Sequence, residues 1–141
     1  KALFASRFAD RVAAEEGIRI IHTWESIKIV SQKKTRFEVV AKVDTGAWRS
    51  SIDRQLAEEL GLLNQENILW SKKFKSGLGI ETRQVINLTY YIAGRRIKTI
   101  ASVADRSKLR TPLIIGRRDL IGFLVKPRKK SIAQKETYKS Q

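Results

Sequence analysis

The alternation of apolar and polar residues predicts a mainly β chain. Residues 26–46 read as two short strands around the polar turn "SQKKT". Residues 67–81 form a second pair of strands, whose tip "KSGLGIE" contains two glycines typical of a hairpin. The segments "RQVINLTYYI" and "RRIKTIASVA" predict another hairpin across "AGRR". "TPLIIG" is expected to be a buried strand, and "RRDLIGFLV" a short helix or turn followed by a last strand.

The first residues follow a helical rather than a strand pattern. Phe4, Phe8 and Val12 recur at spacing i, i+4 and i+8, which predicts an amphipathic helix over residues 2–16. Gly17 is a natural stop for this helix.

One more helix and three regions complete the predicted organisation. Residues 54–63, "RQLAEELGLL", predict a short helix with Gly61 at its C-terminal cap. We therefore divide the chain into an N-terminal helical extension (1–17), a β domain (18–126) and a basic tail (127–141). The tail is polar with no apolar period, so we expect it to be mobile.

Composition excludes several classes of protein. The chain has 141 residues, 42% of them hydrophobic, which is enough for a packed core. It has no continuous apolar run of the length that crosses a bilayer. Charges interrupt the opening residues, so no secretory signal is predicted. The sequence begins at Lys1 and has no methionine; we expect a processed or excised fragment of a cytoplasmic protein.

The content of reactive side chains leaves carboxylate chemistry open. With no cysteine, disulfides, thiolate zinc sites and cysteine nucleophiles are excluded. His22 is the single histidine, so a site with several histidine ligands cannot form. The net charge of +15 favours acidic partners such as nucleic acid, an anionic surface or an acidic peptide, although solubility alone also explains it.

The segment "VVAKVDTGAWRSSID" ends an apolar strand with Asp44, Thr45 and Gly46. One interpretation is a turn that closes the strand, since aspartate and glycine are both turn residues. The other is half of a peptide-cleaving site, in which two aspartates share one proton and activate a water. In that case Thr45 would bond a neighbouring backbone group, and Gly46 would let two backbones approach closely.

Three segments in order resemble the retropepsin-like aspartic peptidases. They are "VAKVDTGA", the glycine-tipped "FKSGLGIE" and "LIIGRRDL". The resemblance covers about residues 27–125. It implies a retropepsin-like closed β-barrel, the acid-protease fold, with one or two short helices besides the N-terminal one.

The chain is also similar to a prokaryotic retropepsin-like family labelled ATP-dependent zinc protease, which is linked to glutamylation of ribosomal proteins. "KVDTGAWRSSI", "ADRSKLRTPLIIGRRDL" and "FLVKP" carry this similarity. Relatives in that family often have a histidine near the position of Asp53, and this chain does not. We therefore expect neither a metal nor another cofactor.

The resemblance implies roles for individual residues. Asp44 would be the catalytic carboxylate, in a loop shaped by Thr45, Gly46 and Ala47. Gly116 and Arg117 would form a supporting turn packed near that loop. A flap over the substrate would carry the binding residues Ser76, Gly77, Leu78 and Gly79.

One position departs from the pattern of viral retropepsins. They usually carry an acidic residue two positions after the motif glycine, where it holds an arginine, and here that position is Trp48. Arg117 therefore lacks its usual partner, for which Asp53 and Asp119 are candidate substitutes. Trp48 itself is a candidate contact for substrate or for a second subunit.

A single Asp-Thr-Gly motif predicts a homodimer with one shared site, because a dyad needs a second copy of the chain. The expected activity is that of an aspartic endopeptidase on extended peptides, with acidic or glutamylated ones suggested by charge and family. The alternative is an inactive module of the same fold whose basic surface binds the ribosome, RNA or another acidic partner. Nucleic acid is the less favoured partner, since binding has no need of Asp-Thr-Gly.

Overall fold

The structure, a computed structural model, describes residues 17–127. In this part of the chain the elements are β1 (Arg19–His22), β2 (Trp24–Val30), β3 (Arg36–Val43), β4 (Ser50–Asp53), α1 (Arg54–Glu59), β5 (Ile68–Ser76), β6 (Gly79–Ile92), β7 (Arg95–Ala104), β8 (Leu113–Ile115), a 3₁₀ turn (Arg117–Asp119) and β9 (Phe123–Lys126).

Six of these strands close into a barrel. Their order is β2-β3-β8-β4-β7-β6, and β6 returns to β2 through the pairs Lys28↔Tyr91 and Ile29↔Tyr90. β5 is attached outside the ring, at the end of the sheet, where it pairs with β6. The predicted mainly β, retropepsin-like barrel with few helices is thereby confirmed.

The barrel interior is filled by the apolar residues of alternating strand positions. Ile27 and Ile29 of β2 are 1% and 0% exposed, whereas Lys28 between them faces solvent. This alternation is the pattern from which the strands were predicted, since successive side chains of a strand point to opposite faces. Ile52, Ile86 and Leu113 lie in the same core cluster.

The predicted turns and hairpins form at the expected places, and both hairpin turns are shorter than expected. β5 and β6 pair from Ile68↔Ile86 to Ser76↔Gly79, so Gly77 and Leu78 alone make the tip. β6 and β7 are joined by Ala93 and Gly94, both at positive φ (49° and 75°). Both arginines of "AGRR" belong to β7, because two residues with positive φ suffice for a tight hairpin turn.

The predicted short helix is also present, over fewer residues than its sequence pattern. The Asp53 side chain caps α1 by accepting from the Leu56 amide at 3.4 Å. Leu56 and Ala57 are buried. Gly61 has φ +71° just beyond the helix, which explains why α1 ends before "GLL".

β1 was missed by the sequence analysis. It pairs in parallel with β9, from Arg19↔Phe123 to His22↔Lys126, as a separate two-stranded ribbon. Its four residues are too few to show a strand period, and their partner lies at the far end of the domain. The predicted helix over residues 2–16 and nearly all of the predicted tail lie outside the described residues.

Candidate active site

Asp44 lies directly after β3, at the edge where two parallel strands end together. β3 and β8 pair from Ala41↔Leu113 to Val43↔Ile115. The Asp44 amide then donates to the Ile115 carbonyl at 2.9 Å. The strand pairing therefore brings the Asp-Thr-Gly segment beside the segment that follows Ile115.

The side chain of Asp44 also closes a turn. Its Oδ1 accepts the Gly46 amide at 2.9 Å, and its carbonyl accepts the Ala47 amide at 3.2 Å. A Cβ at position 46 would lie 3.1 Å from Oδ1, so a glycine suits this close approach. The two interpretations of the motif are thus compatible, because the turn is what holds the half-buried carboxyl in one orientation.

The turn at Gly116 and Arg117 packs against the Asp44 loop through main-chain bonds. The Arg117 amide donates to the Ala47 carbonyl at 2.8 Å, and the Arg118 amide to the Trp48 carbonyl at 3.0 Å. A Cβ on Gly116 would lie 2.6 Å from the carbonyl carbon of Arg49, closer than backbone atoms allow. Only glycine permits this contact between the two loops.

Arg117 has a partner other than a carboxylate. Its Nη1 donates to the Thr45 carbonyl at 3.1 Å, and its guanidinium carbon lies 5.6 Å from the centre of the Trp48 ring. The Trp48 side chain remains 59% exposed. A cation over the face of an aromatic ring is an attractive contact, so the Trp48 ring and the Thr45 carbonyl together hold the guanidinium of Arg117.

Neither candidate substitute for the acidic partner contacts Arg117. Asp53 caps α1 and accepts the Arg106 amide at 2.8 Å. Asp119 points into the barrel, where hydroxyl groups surround it. Between residues 17 and 127, no ion pair joins Arg117 to either carboxylate. The suggestion that one of them replaces the acidic partner is therefore wrong.

Two buried polar residues near the site make contacts that the sequence analysis did not predict. Asp119 is 8% exposed, and it accepts hydrogen bonds from the hydroxyls of Ser50, Tyr90 and Thr99 at 2.6, 2.9 and 2.6 Å. Burial raises the pKa of the Tyr90 phenol, and the neighbouring Asp119 carboxylate raises it further. Asp119 lies in the 3₁₀ turn and Ser50 in the short, mainly polar strand β4, so no alternating pattern in the sequence marks this network.

Arg106 is the second of these residues. It is 8% exposed, and its Nε donates to the Thr111 carbonyl at 3.0 Å. Burial lowers the pKa of Arg106, while the carboxylates of Asp53 and Asp44 oppose this shift. Arg106 is thus a buried positive charge, in the segment before β8, that the carboxylates of Asp53 and Asp44 help to stabilise.

The β5–β6 hairpin extends beyond the barrel. β6 pairs with β7 only from Gln84 onward, so residues 72–83 form a two-stranded arm in which each strand pairs only with the other. At its tip Leu78 and Ile80 are 102% and 68% exposed. The predicted binding residues of the flap lie at this tip, at or next to the turn.

Arg54 braces the base of the arm. Its Nη1 donates to Gln84 Oε1 at 2.7 Å and its Nη2 to the Thr82 carbonyl at 3.0 Å. A depression of about 560 Å³ beside this contact is lined by residues of α1, β6 and β7 and by Asp105. The arm is therefore anchored to α1, the helix that follows β4.

Other kinds of site are not found in residues 17–127. No group of three or more histidine, aspartate or glutamate side chains there could hold a metal ion. His22 lies 3.0 Å from Glu25 and pairs with it. None of the helices in this part has the length and apolar character needed to cross a membrane.

Comparison with known proteins gives similarity of fold. A Legionella pneumophila protein of unknown function, assigned to DUF785, is 15% identical, with a TM-score of 0.52 over 82% of this chain and 98% of its own. Simian foamy virus protease is 15% identical, with a TM-score of 0.48 over 70% and 91% of the two chains. A foamy viral protease–reverse transcriptase bound to an RNA/DNA hybrid is 16% identical, with a TM-score of 0.49 over 78% of this chain and 13% of its own.

Sequence comparison adds no relative to these. A scan against protein-family models gave no match, and a search of curated proteins gave none either. At 15% identity the Legionella protein is evidence of a shared fold alone.

Proposed function

We propose that this chain is an aspartic endopeptidase that acts as a homodimer. The observation that carries the proposal is the fixed position of Asp44, whose amide is bonded to Ile115 and whose Oδ1 is bonded to the Gly46 amide. A carboxylate can act as a general base only when its geometry is set. The resemblance of three segments to retropepsin-like peptidases supports the same role for this aspartate.

The second carboxyl group comes from a second copy of the chain. The sequence contains one Asp-Thr-Gly, so a two-fold axis near Asp44 is needed to bring two such residues together. Two carboxyl groups in hydrogen-bond contact cannot both ionise, and the pair holds a single proton. The apparent pKa values of the reaction belong to this pair rather than to either residue.

The reaction then proceeds by acid–base catalysis. The ionised carboxylate takes a proton from a water molecule as the water oxygen bonds to the peptide carbonyl carbon. The protonated carboxyl donates its proton to the carbonyl oxygen, giving a tetrahedral intermediate. Collapse of this intermediate breaks the C–N bond: the carboxyl that took its proton from water gives that proton to the departing amine, and the other carboxylate takes back a proton from a hydroxyl of the intermediate as the carboxylic acid product forms.

The arm of residues 72–83 serves as the flap. It is a two-stranded extension with apolar residues exposed at its tip, and lids of this kind exclude water and hold an extended peptide. Main-chain groups of the arm would pair with the substrate backbone. The net charge of +15 and the absence of a carboxylate on Arg117 within residues 17–127 favour acidic peptides. The similarity to the zinc-protease-labelled family suggests glutamylated tails among them.

Cleavage of a random peptide library tests the proposal. Wild type, Asp44→Asn and Asp105→Asn are compared across pH; Asp105 is an exposed aspartate whose carboxylate accepts bonds from Ser107. We expect activity in wild type and Asp105→Asn and none in Asp44→Asn. Equal background cleavage by all three proteins contradicts the proposal, and steeply salt-dependent RNA binding in the same samples would indicate the binding module instead.

A further inference from the structure

The Asp119 carboxylate is held in the barrel by neutral groups. It is 8% exposed and accepts hydroxyl bonds from β4, β6 and β7, made by Ser50, Tyr90 and Thr99. Across the described range 17–127, no lysine, arginine or histidine forms an ion pair with it. Hydrogen bonds to a carboxylate are of the strong, charge-assisted kind, and a buried polar group without such partners is costly, so these three hydroxyls are what holds Asp119 in the barrel.

Ser50 joins this network to the main chain of the active-site turn. Its side chain is fully buried, and its Oγ donates to Asp119 Oδ2 at 2.6 Å while accepting the Gly116 amide at 3.1 Å. A hydroxyl carries one proton. Because Asp119 accepts that proton, a lone pair of Oγ must face Gly116. The carboxylate therefore sets the orientation in which Ser50 receives the amide.

Gly116 lies between the bonds that hold the Asp44 loop. The residue before it, Ile115, accepts the Asp44 amide at 2.9 Å, and the residue after it, Arg117, donates to the Ala47 carbonyl at 2.8 Å. A displacement of Gly116 would thus move both contacts of the loop. Asp119 is thus connected to Asp44 by a series of hydrogen bonds. It bonds Ser50, Ser50 bonds the Gly116 turn, and that turn bonds the Asp44 loop.

We propose that Ser50 and Asp119 are positioning residues for Asp44. Asp119 orients the Ser50 hydroxyl, Ser50 fixes the amide of Gly116, and the Gly116 turn holds the Asp44 carboxyl in its reactive orientation. The catalytic part of this inference depends on the proposed peptidase function. The mechanical part, which links Ser50 to the Gly116 turn, does not.

Thr99 provides a matched control for Ser50. Both hydroxyls donate to Asp119 at 2.6 Å, but Ser50 alone of the two also accepts from Gly116. Ser50→Ala and Thr99→Val each remove one hydroxyl bond from the same carboxylate. A purely structural role of the network predicts similar effects of the two substitutions.

Amide hydrogen exchange measured by NMR separates the two roles without any substrate. We expect Ser50→Ala to speed exchange at Gly116 at least about tenfold more than Thr99→Val, as the loss of one hydrogen bond implies. The Asp44 and Gly46 amides should follow Gly116. Equal exchange at Gly116 in both variants would overturn the proposal.

Asp119→Asn tests the role of the carboxylate itself. It also provides a test of the proposal if Ser50→Ala does not fold. Its carboxamide has similar volume but offers one acceptor oxygen to three hydroxyl donors. We expect faster exchange at Gly116 than in wild type, by a smaller factor than in Ser50→Ala. Unchanged exchange would show that the charge of Asp119 does not act on the turn.

Kinetics on a cleaved library peptide test the catalytic part. Ser50→Ala should lower kcat at least about tenfold with little change in KM, since orientation of the reacting group matters only in the chemical step. Thr99→Val should keep kcat near wild type. An unchanged kcat in Ser50→Ala overturns the positioning role, whereas wild-type protein no more active than Asp44→Asn rejects the peptidase function and leaves the exchange result standing.

Discussion

The guanidinium of Arg117 lies over the ring of Trp48, 5.6 Å from its centre, while its Nη1 donates to the Thr45 carbonyl at 3.1 Å. The arginine next to the Asp44 loop is therefore held by an aromatic face and a main-chain oxygen. Its positive charge is not cancelled by a carboxylate within residues 17–127.

A double-mutant cycle of Trp48→Ala and Arg117→Gln measures this contact. Because Trp48 is 59% exposed, we expect a coupling free energy of about 0.5–1 kcal/mol, the range for cation–π pairs near solvent. Urea denaturation of the four proteins gives the coupling. The control is the same cycle with Trp70→Ala in place of Trp48→Ala, and we expect it to show no coupling free energy.

Gly116→Ala should destabilise the protein by about 2–3 kcal/mol, because the new methyl group meets backbone that cannot move aside. Its Cβ would lie 2.6 Å from the Arg49 carbonyl carbon and 2.7 Å from the Trp48 carbonyl oxygen. Gly77→Ala is the matched control, since a Cβ there has no heavy atom within 4 Å. Chemical denaturation should show a change of about 0.5 kcal/mol or less for it. Equal losses in the two variants would contradict the close packing at Gly116.

Tyr90 should make the fold sensitive to alkaline pH. Burial and the adjacent Asp119 raise the phenol pKa above its ordinary value of 10.0. The phenol therefore stays neutral in the folded protein at pH values just above 10, where it ionises in the unfolded chain. Below pH 10 the phenol is neutral in both states and its contribution to stability is complete. Above pH 10 the unfolded chain ionises and the contribution falls by about 1.4 kcal/mol per pH unit.

The measurement is the difference in unfolding free energy between wild type and Tyr90→Phe. The difference should be constant from pH 7 to 9 and should shift against wild type above pH 10. Lysine titration affects both proteins and cancels in this difference. If the unfolding free energies of the two proteins stay parallel up to pH 11, Tyr90 ionises as easily in the folded state as in the unfolded state.

Arg54→Ala should loosen the arm of residues 72–83 with little effect on the barrel. The substitution removes the bonds to Gln84 Oε1 and to the Thr82 carbonyl, at 2.7 and 3.0 Å. Amide exchange in the arm should rise several-fold, about the effect of losing one or two hydrogen bonds. Gln55→Ala is the control in the same helical turn, because its side chain bonds Glu59 instead. Exchange that rises equally throughout the barrel would argue against a local brace.

Mixing wild type with Asp44→Asn tests whether each site uses two chains. If subunits exchange freely, half of the wild-type subunits in an equal mixture enter mixed dimers, which hold only one intact carboxyl group. The mixture should then show about half the activity of a sample that contains the same amount of wild type alone. Peptide cleavage before and after equilibration gives the ratio. Activity that stays unchanged, with exchange verified by mass-tagged subunits, would indicate a site within one chain.

The strands could be predicted from sequence because their signals are local, whereas the packing of the Gly116 turn near Asp44 was implied by the resemblance of three segments to retropepsin-like peptidases. Alternating burial marks each barrel strand, and the glycines mark the turns. The Asp-Thr-Gly and Ile-Ile-Gly-Arg segments each follow an apolar strand, and parallel pairing of those strands places their ends together.

The remaining features depend on contacts between distant segments. Asp119 and Ser50 lie within the segments that carry the family resemblance, but nothing in either segment indicates the hydrogen bond between them, which spans 69 positions. The burial of Arg106 depends on the packing of its surroundings, which its neighbours in sequence do not reveal. The sequence indicated only that Arg117 lacks its usual acidic partner. It did not show that Trp48 lies beside Arg117, because that depends on the fold.

The β1–β9 ribbon has a consequence for synthesis on the ribosome. Of the strands in residues 17–127, β1 emerges first and β9 last, with the whole barrel encoded between them. Ile21 of β1, which is fully buried in the finished domain, therefore has no ribbon partner while β2 to β8 emerge. The nascent chain can close its barrel early, but it completes the domain only after β9 has left the exit tunnel. A chain interrupted before residue 123 would leave β1 without its partner strand, and unpaired strand edges of this kind make incomplete chains prone to aggregation.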